Sequence, residues 1–265
     1  MVRKLSYTLI QNRAEKILEQ YQLGKLPIDP KKVAEKARII VQAKDDCTEG
    51  VSGMLLHVGD QFGIMYATHL NNIGFENFSI AHELGHFFLD GHPEQIFNAY
   101  GLHESHAGFT SQDSIENEAD TFAASLLMPS DLFKDKMLEY EKGLDGIEMM
   151  AKVCNTSLTA TAIRYAELCD SKIVVIVSTN GIVDYCCISK KVFELGDIVK
   201  PKRGDKIPKG TAASVLFDNP QRIATADKLY SETDFRDWID SKKTKNGSEE
   251  SMGLGRYGKV LTVIS

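Results

Sequence analysis

The chain has 265 residues, 43 % of them hydrophobic and 26 % charged, the balance of a soluble globular protein with enough core for one large domain or two modest ones. Its net charge of −6 and pI near 5.7 repel phosphate backbones, which argues against direct nucleic-acid binding. No segment approaches the roughly 20 apolar residues of a membrane helix. Met1 to Tyr7 leads into no apolar stretch of the secretory kind, and the five cysteines, odd in number and without a C-x-x-C, form no disulfide framework. The expected compartment is therefore the cytoplasm, with no membrane partner and with idle thiols.

Leu9, Ile10, Ala14, Ile17, Leu18 and Tyr21 recur at helical spacing, and Gly24 follows as a stop. Asp29-Pro30 reads as an N-cap with proline at the first helical position. Ile39 to Val41 predicts a strand, and the runs 52–58 and 61–67 flank Gly59-Asp60 as a hairpin. A helix is predicted over about 75–89, closed by Gly91 and Pro93, and then a polar loop over 92–113. Further helices are expected over 114–128 and 130–140, with two short ones over 145–168 around Asn155-Thr156-Ser157. That pair has a helix-turn-helix shape, but its basic residues are only Lys152 and Arg164, so it reads as a packing element. Beyond Asp170 the pattern turns to strands over 173–178, 182–188 and 260–264, with a polar, mobile stretch over 242–251. The fold class is thus α+β: a domain over 1–170 with helices and a small antiparallel sheet, then a smaller β-rich domain over 171–265.

The chemistry concentrates in Ala81-His82-Glu83-Leu84-Gly85-His86. Histidines four apart on a helix lie on one face, so His82 and His86 can reach a single zinc ion. Glu83 is placed to act as general base toward a water that the ion activates, the H-E-x-x-H pattern. Phe78, Ala81, Gly85 and Phe88 form an apolar stripe that would bury the helix, and a mid-helix Gly85 implies close approach by another element.

A catalytic zinc needs a third protein ligand. Glu116 is favoured, because Asp120 one turn along could accept a hydrogen bond from a ligating histidine. The rival role for Glu116 is to close a capping box begun at Asp113. Glu118 is the alternative ligand, although it points nearly opposite to Glu116. His92, His103 and His106 are candidates to line the cleft or stabilise an oxyanion, and Tyr66 and Tyr100 are candidate donors. If the strand over 61–67 forms the sheet edge, substrate could add to it as a further strand.

At Phe78-Ser79-Ile80-Ala81-His82-Glu83-Leu84-Gly85-His86-Phe87, and again at Glu116-Asn117-Glu118-Ala119-Asp120 and on to Met128-Pro129, the chain resembles the ImmA/IrrE family of bacterial zinc metallo-endopeptidases. The resemblance covers roughly residues 5–170. It implies a zincin-like fold, one catalytic zinc ion held by His82, His86 and Glu116, and Glu83 as catalytic base. It also implies a protein substrate, a helix-turn-helix repressor whose cleavage derepresses stress or mobile-element genes. It leaves residues 171–265 as a sensory or regulatory part. The alternative function is a zinc-bound, antitoxin-like protein that binds a repressor without cutting it.

Overall fold

The computed structural model describes residues 5–45, 50–97, 101–106 and 113–265, and these divide into two compact units. The first comprises Met1–Lys136 with Met150–Ser157, the second Met137–Met149 with Leu158–Ser265.

The first unit opens with α1 (Tyr7–Tyr21), capped by the Ser6 hydroxyl, which accepts from the Leu9 N–H. Ile10, Ala14, Ile17 and Leu18 are its buried stripe. The helix ends before Gly24, at Gln22, which adopts the left-handed conformation with φ 58°. In α2 (Pro30–Lys36) the Asp29 carboxylate accepts from the Lys31 N–H and Pro30 starts the helix, as its sequence predicts. The strands β1 (Ile40–Lys44), β2 (Val51–Val58) and β3 (Gln61–Ala67) follow, with β2 and β3 joined through Gly59 at φ 60°.

Next come α3 (Ile73–Phe88), the short α4 (Pro93–Ile96) and β4 (Leu102–His106). The sheet order is β1-β3-β2-β4. Two expectations fail here. The sheet is mixed rather than antiparallel, because β1 pairs with β3 in parallel. β3 is not an edge, since β1 and β2 hydrogen-bond it from both sides and leave no free ladder for an added strand. The edge beside β2 is β4, which arises inside the span predicted as loop. β4 escaped the pattern because its less exposed positions, His103 and Ser105, are polar.

α5 (Ser114–Leu127) packs on α3, and α1 packs on α5. With β2 and β3 against α3 as well, every residue from Ser79 to His86 is buried. Gly85 explains how closely α3 and α5 approach: a Cβ there would lie 3.1 Å from the Ala119 Cα and 3.2 Å from the Phe122 Cβ. Beyond Pro129 lie α6 (Ser130–Met137), α7 (Leu144–Cys154) and α8 (Leu158–Leu168). The turn between α7 and α8 rests on α3: the Asn77 side-chain amide donates to the Asn155 carbonyl at 3.1 Å, and a Cβ at Gly74 would meet the Thr156 and Ser157 backbone at 2.5 Å. Arg164 is buried and paired with Glu167 at 3.3 Å.

The second unit is built on β5 (Val174–Thr179), β6 (Ile182–Ile188), α9 (Ala212–Phe217), α10 (Pro220–Ala224), β7 (Lys228–Asp234), α11 (Phe235–Trp238), β8 (Asn246–Gly253) and β9 (Lys259–Ile264). Its strands form one antiparallel sheet in the order β6-β5-β9-β8-β7, with α8 against β5 and β6. Val174, Ile176, Leu216, Trp238 and Val260 belong to its core. Lys228 pairs with Asp145 at 2.8 Å and with Glu148, and Glu250 accepts from the Leu144 N–H at 2.7 Å, which fastens the start of α7 to this sheet.

The stretch 242–251, expected to be mobile, instead contributes most of β8, hydrogen-bonded between β9 and β7. Its buried positions are Glu249, Ser251 and Gly253, so no apolar alternation announces a strand. Those polar groups are satisfied locally: Glu249 accepts from the Ala213 N–H at 2.8 Å, and the Ser251 and Thr262 hydroxyls meet at 2.9 Å. Cys154, Cys169, Cys186 and Cys187 are free and buried, with burial pushing the Cys154, Cys186 and Cys187 thiols up to about 12; Cys47 lies outside the described residues.

Gly85→Ala separates propensity from packing. Helix propensity alone would raise stability by about 1 kcal/mol. Overpacking against Ala119 costs about 1–3 kcal/mol, so the unfolding midpoint in urea should fall. A stabilised variant would show that α3 and α5 have room to spare.

Candidate metal centre

α3 carries His82 and His86 one turn apart, and their Nε2 atoms lie 3.0 Å from each other. α5 brings Glu116 between them: one carboxylate oxygen is 3.1 Å from His82 Nε2 and the other 3.4 Å from His86 Nε2. One donor atom from each of the three residues lies within 4.8 Å of the other two. A tetrahedral zinc ion with bonds of 2.0–2.1 Å holds its ligand atoms about 3.3 Å apart. The observed spacings fit that requirement, and two imidazole nitrogens with a carboxylate oxygen are a donor set suited to such an ion.

The other imidazole nitrogens are also engaged. His82 Nδ1 lies 2.8 Å from Asp120 Oδ1. A carboxylate only accepts, so Nδ1 carries the proton and Nε2 is left to face the centre. Asp120 lies one turn beyond Glu116 on α5. Glu118 does not join the triad. Its carboxylate meets His92 Nε2 at 3.2 Å and accepts from the Leu5 N–H at 3.1 Å. His92 in turn places its Nδ1 3.1 Å from His86 Nδ1. His103, on β4, sits with Nε2 3.3 Å from Glu116, and the Ser105 hydroxyl lies 3.2 Å from that nitrogen.

The capping expectation holds for Asp113, which accepts from the Ile115 N–H at 3.0 Å, while the Glu116 carboxylate is spread over three histidines. Other candidates fall elsewhere. The Tyr66 hydroxyl accepts from Lys31 Nζ at 2.7 Å, and His106 is exposed. Tyr100 lies outside the described residues.

Glu83 is fully buried; neither of its carboxylate oxygens has a well-formed hydrogen bond among the described residues, and the nearby Ser105 hydroxyl offsets its burial only in part. Gly53 on β2 makes room for it: a Cβ there would lie 2.6 Å from Glu83 Oε1. The β2–β4 pairing shifts register between Val51 and Gly53, a bulge that sets Gly53 opposite Ser105. Nothing in the local sequence pattern identifies Gly53, because its role appears only when β2 crosses α3.

Charge follows from this packing. Burial pulls His82 down, but its hydrogen bonds to Asp120 and Glu116 outweigh that and raise it to about 10. Burial dominates at His86 and lowers it to about 3. Burial pushes Glu116 up, yet His103, His82 and His86 hold it well below the usual carboxylate range. Glu83 is raised by burial.

These features define a metallopeptidase-like site on an α+β fold. A sequence profile of the Peptidase M78 family, described as the IrrE N-terminal-like domain, matches residues 57–164, a span that holds His82, Glu83, His86, Glu116 and Asp120. The resemblance to ImmA/IrrE peptidases therefore stands over that segment. No curated protein matches the chain in sequence. Among solved structures it is similar to a Mycobacterium tuberculosis transcriptional regulator, at 12 % identity and a TM-score of 0.60 over 97 % of this chain and 75 % of that one. At that identity the likeness concerns the fold alone. No helix among the described residues is long and apolar enough to cross a membrane.

The protonation pattern has a measurable consequence. With His82 raised to about 10, the metal-free site holds a proton there near neutral pH, and His86, lowered to about 3, does not. Ligation requires a neutral imidazole. Zinc uptake near neutral pH should therefore release about one proton per ion, read by calorimetry in buffers of different ionisation enthalpy. The sign for stability is fixed too: the contribution of His82 to the metal-free fold is complete below its ordinary value of 6.5 and is lost as pH rises through about 10. Uptake without proton release would mean that the ion does not engage His82.

Proposed function

We propose that this protein is a cytoplasmic, zinc-dependent metallo-endopeptidase that cleaves a helix-turn-helix transcriptional repressor. His82, His86 and Glu116 hold the ion, Glu83 is the catalytic base and Asp120 positions His82. The peptidase function belongs to residues 1–170, and residues 171–265 form a regulatory part.

The observation that carries this reading is Glu83. A carboxylate with no exposure and no well-formed hydrogen bond among the described residues, eased only in part by the nearby Ser105 hydroxyl, costs several kcal/mol unless function retains it. It directly follows His82 on α3, and Gly53 leaves it space. A fold that only bound zinc would gain nothing from such a group. A non-catalytic, antitoxin-like protein has no use for it.

A bound zinc ion supplies Lewis acidity, polarising the scissile carbonyl and making water more acidic. The residues supply the rest. Glu83 takes a proton from the attacking water and returns it to the leaving amine nitrogen as the C–N bond breaks. Its burial raises its proton affinity, which suits a group that must both accept and donate. Asp120 keeps the proton of His82 on Nδ1 throughout. The profile match over 57–164 supports the peptidase class, and the repressor substrate rests on the resemblance described above.

The test is co-expression with a helix-turn-helix protein encoded by a neighbouring gene. Wild type should cut it, and Glu83→Gln should lower cleavage by about 10²-fold or more while zinc content stays the same. Unimpaired cleavage by that variant would remove Glu83 from the mechanism. Gly53→Ala should reproduce much of the loss, because the added methyl displaces Glu83 and leaves the zinc triad in place. Full activity in Gly53→Ala would mean that Glu83 does not need its present position.

A further inference from the structure

We propose that His92 and Glu118 are positioning residues for the metal centre, a relay that fixes the ring orientation and tautomer of His86 so that its Nε2 faces the ion. The inference rests on the metal reading of His82, His86 and Glu116, and it assigns roles to two residues outside that triad.

The relay begins at a backbone amide. The Leu5 N–H donates to one oxygen of Glu118 at 3.1 Å, and the other oxygen lies 3.2 Å from His92 Nε2. A carboxylate offers no proton, so His92 Nε2 must donate. A neutral His92 then has a bare Nδ1, which can only accept. Its neighbour at 3.1 Å is His86 Nδ1, which therefore carries a proton. An imidazole protonated on Nδ1 has its lone pair on Nε2, the atom beside His82 and Glu116. Each bond sets the direction of the next.

Burial makes the relay matter. His86 has no exposure, and His92 and Glu118 are nearly as deep. Without His92, His86 Nδ1 loses its acceptor, and an unsatisfied buried N–H favours the other tautomer or a rotated ring. The fold builds the contact on purpose-shaped backbone. Gly91 takes φ 85°, a left-handed conformation that turns the chain back after α3, and the His92 N–H bonds to the Leu89 carbonyl at 3.2 Å. Glu118 comes from the same helix as Glu116 and Asp120. α5 thus serves His82 through Asp120, and His86 through Glu118 and His92.

The experiment measures zinc affinity of the full chain by competition with a chromophoric chelator. His92→Ala and Glu118→Ala should each weaken binding about 10–100-fold. The double variant should be no weaker than the worse single variant, because Glu118 acts only through His92. Glu118→Ala combined with Asp120→Ala should instead multiply the two losses, since they act on different imidazoles. A merely structural role would not produce that contrast. Should the alanine variants fail to fold, nitrogen NMR of the zinc-loaded wild type decides, with protons expected on His86 Nδ1 and His92 Nε2. Wild type that takes up no zinc overturns the metal reading and the relay with it. Tight wild-type binding overturns the relay alone if the single variants bind equally well, if the His92 and Glu118 losses multiply, or if His86 Nδ1 is bare.

Discussion

His82 and His86 place two imidazole Nε2 atoms 3.0 Å apart in a stretch of helix, Ser79 to His86, in which every residue is buried, and much of the surrounding structure answers the cost of doing so. Desolvation alone would strip protons from both rings and leave their N–H groups without partners. The fold avoids this by bringing acceptors up from α5, which packs on α3. Close approach is the condition, since Glu116 and Asp120 reach the rings only because Gly85 lets the Ala119 backbone come within van der Waals contact. A side chain at position 85 would push apart the two helices that share the ligands. The glycine that weakens α3 as an isolated helix is what lets the centre assemble.

The same two helices show what the sequence could and could not reveal. His82, Glu83 and His86 were legible because helical spacing alone puts the histidines on one face. Glu116 and Asp120 were legible for the same reason, being four apart. Glu118 resisted that logic. Its position two residues from Glu116 excludes a shared face, which is right, but it does not say what the opposite face meets. The answer is His92, brought there by a turn at Gly91, and a turn's trajectory is not written in the periodicity of the helices it follows. Gly53 and β4 were invisible for a related reason. Strand recognition relies on apolar alternation, and where a sheet faces a polar centre the inward positions are His103, Ser105 and a glycine.

The second unit repeats this lesson in its own sheet. β5, β6 and β9 were readable from runs of valine and isoleucine, whereas β8 has Glu249, Ser251 and Gly253 at its buried positions. Polar residues can line the inside of a sheet when their hydrogen bonds close among themselves. Here Glu249 takes the Ala213 N–H and the Ser251 hydroxyl. Composition called that stretch mobile; satisfied hydrogen bonds make it a central strand.

The asymmetry between the two histidines follows from what stands behind each. His82 backs directly onto the Asp120 carboxylate at 2.8 Å, and with Glu116 in front it is held strongly basic. His86 backs onto a neutral imidazole, with the carboxylate on that side, Glu118, one residue further away, and burial there outweighs the Glu116 carboxylate in front. A metal-free site built this way holds one proton rather than two. That single positive charge sits between the side chains of Asp120 and Glu116 and offsets part of the repulsion there. A divalent cation held by His82, His86 and Glu116 would displace that proton and leave both rings neutral. Asp120, which helps to raise His82 in the absence of metal, is also the group that leaves its Nε2 facing Glu116 and His86.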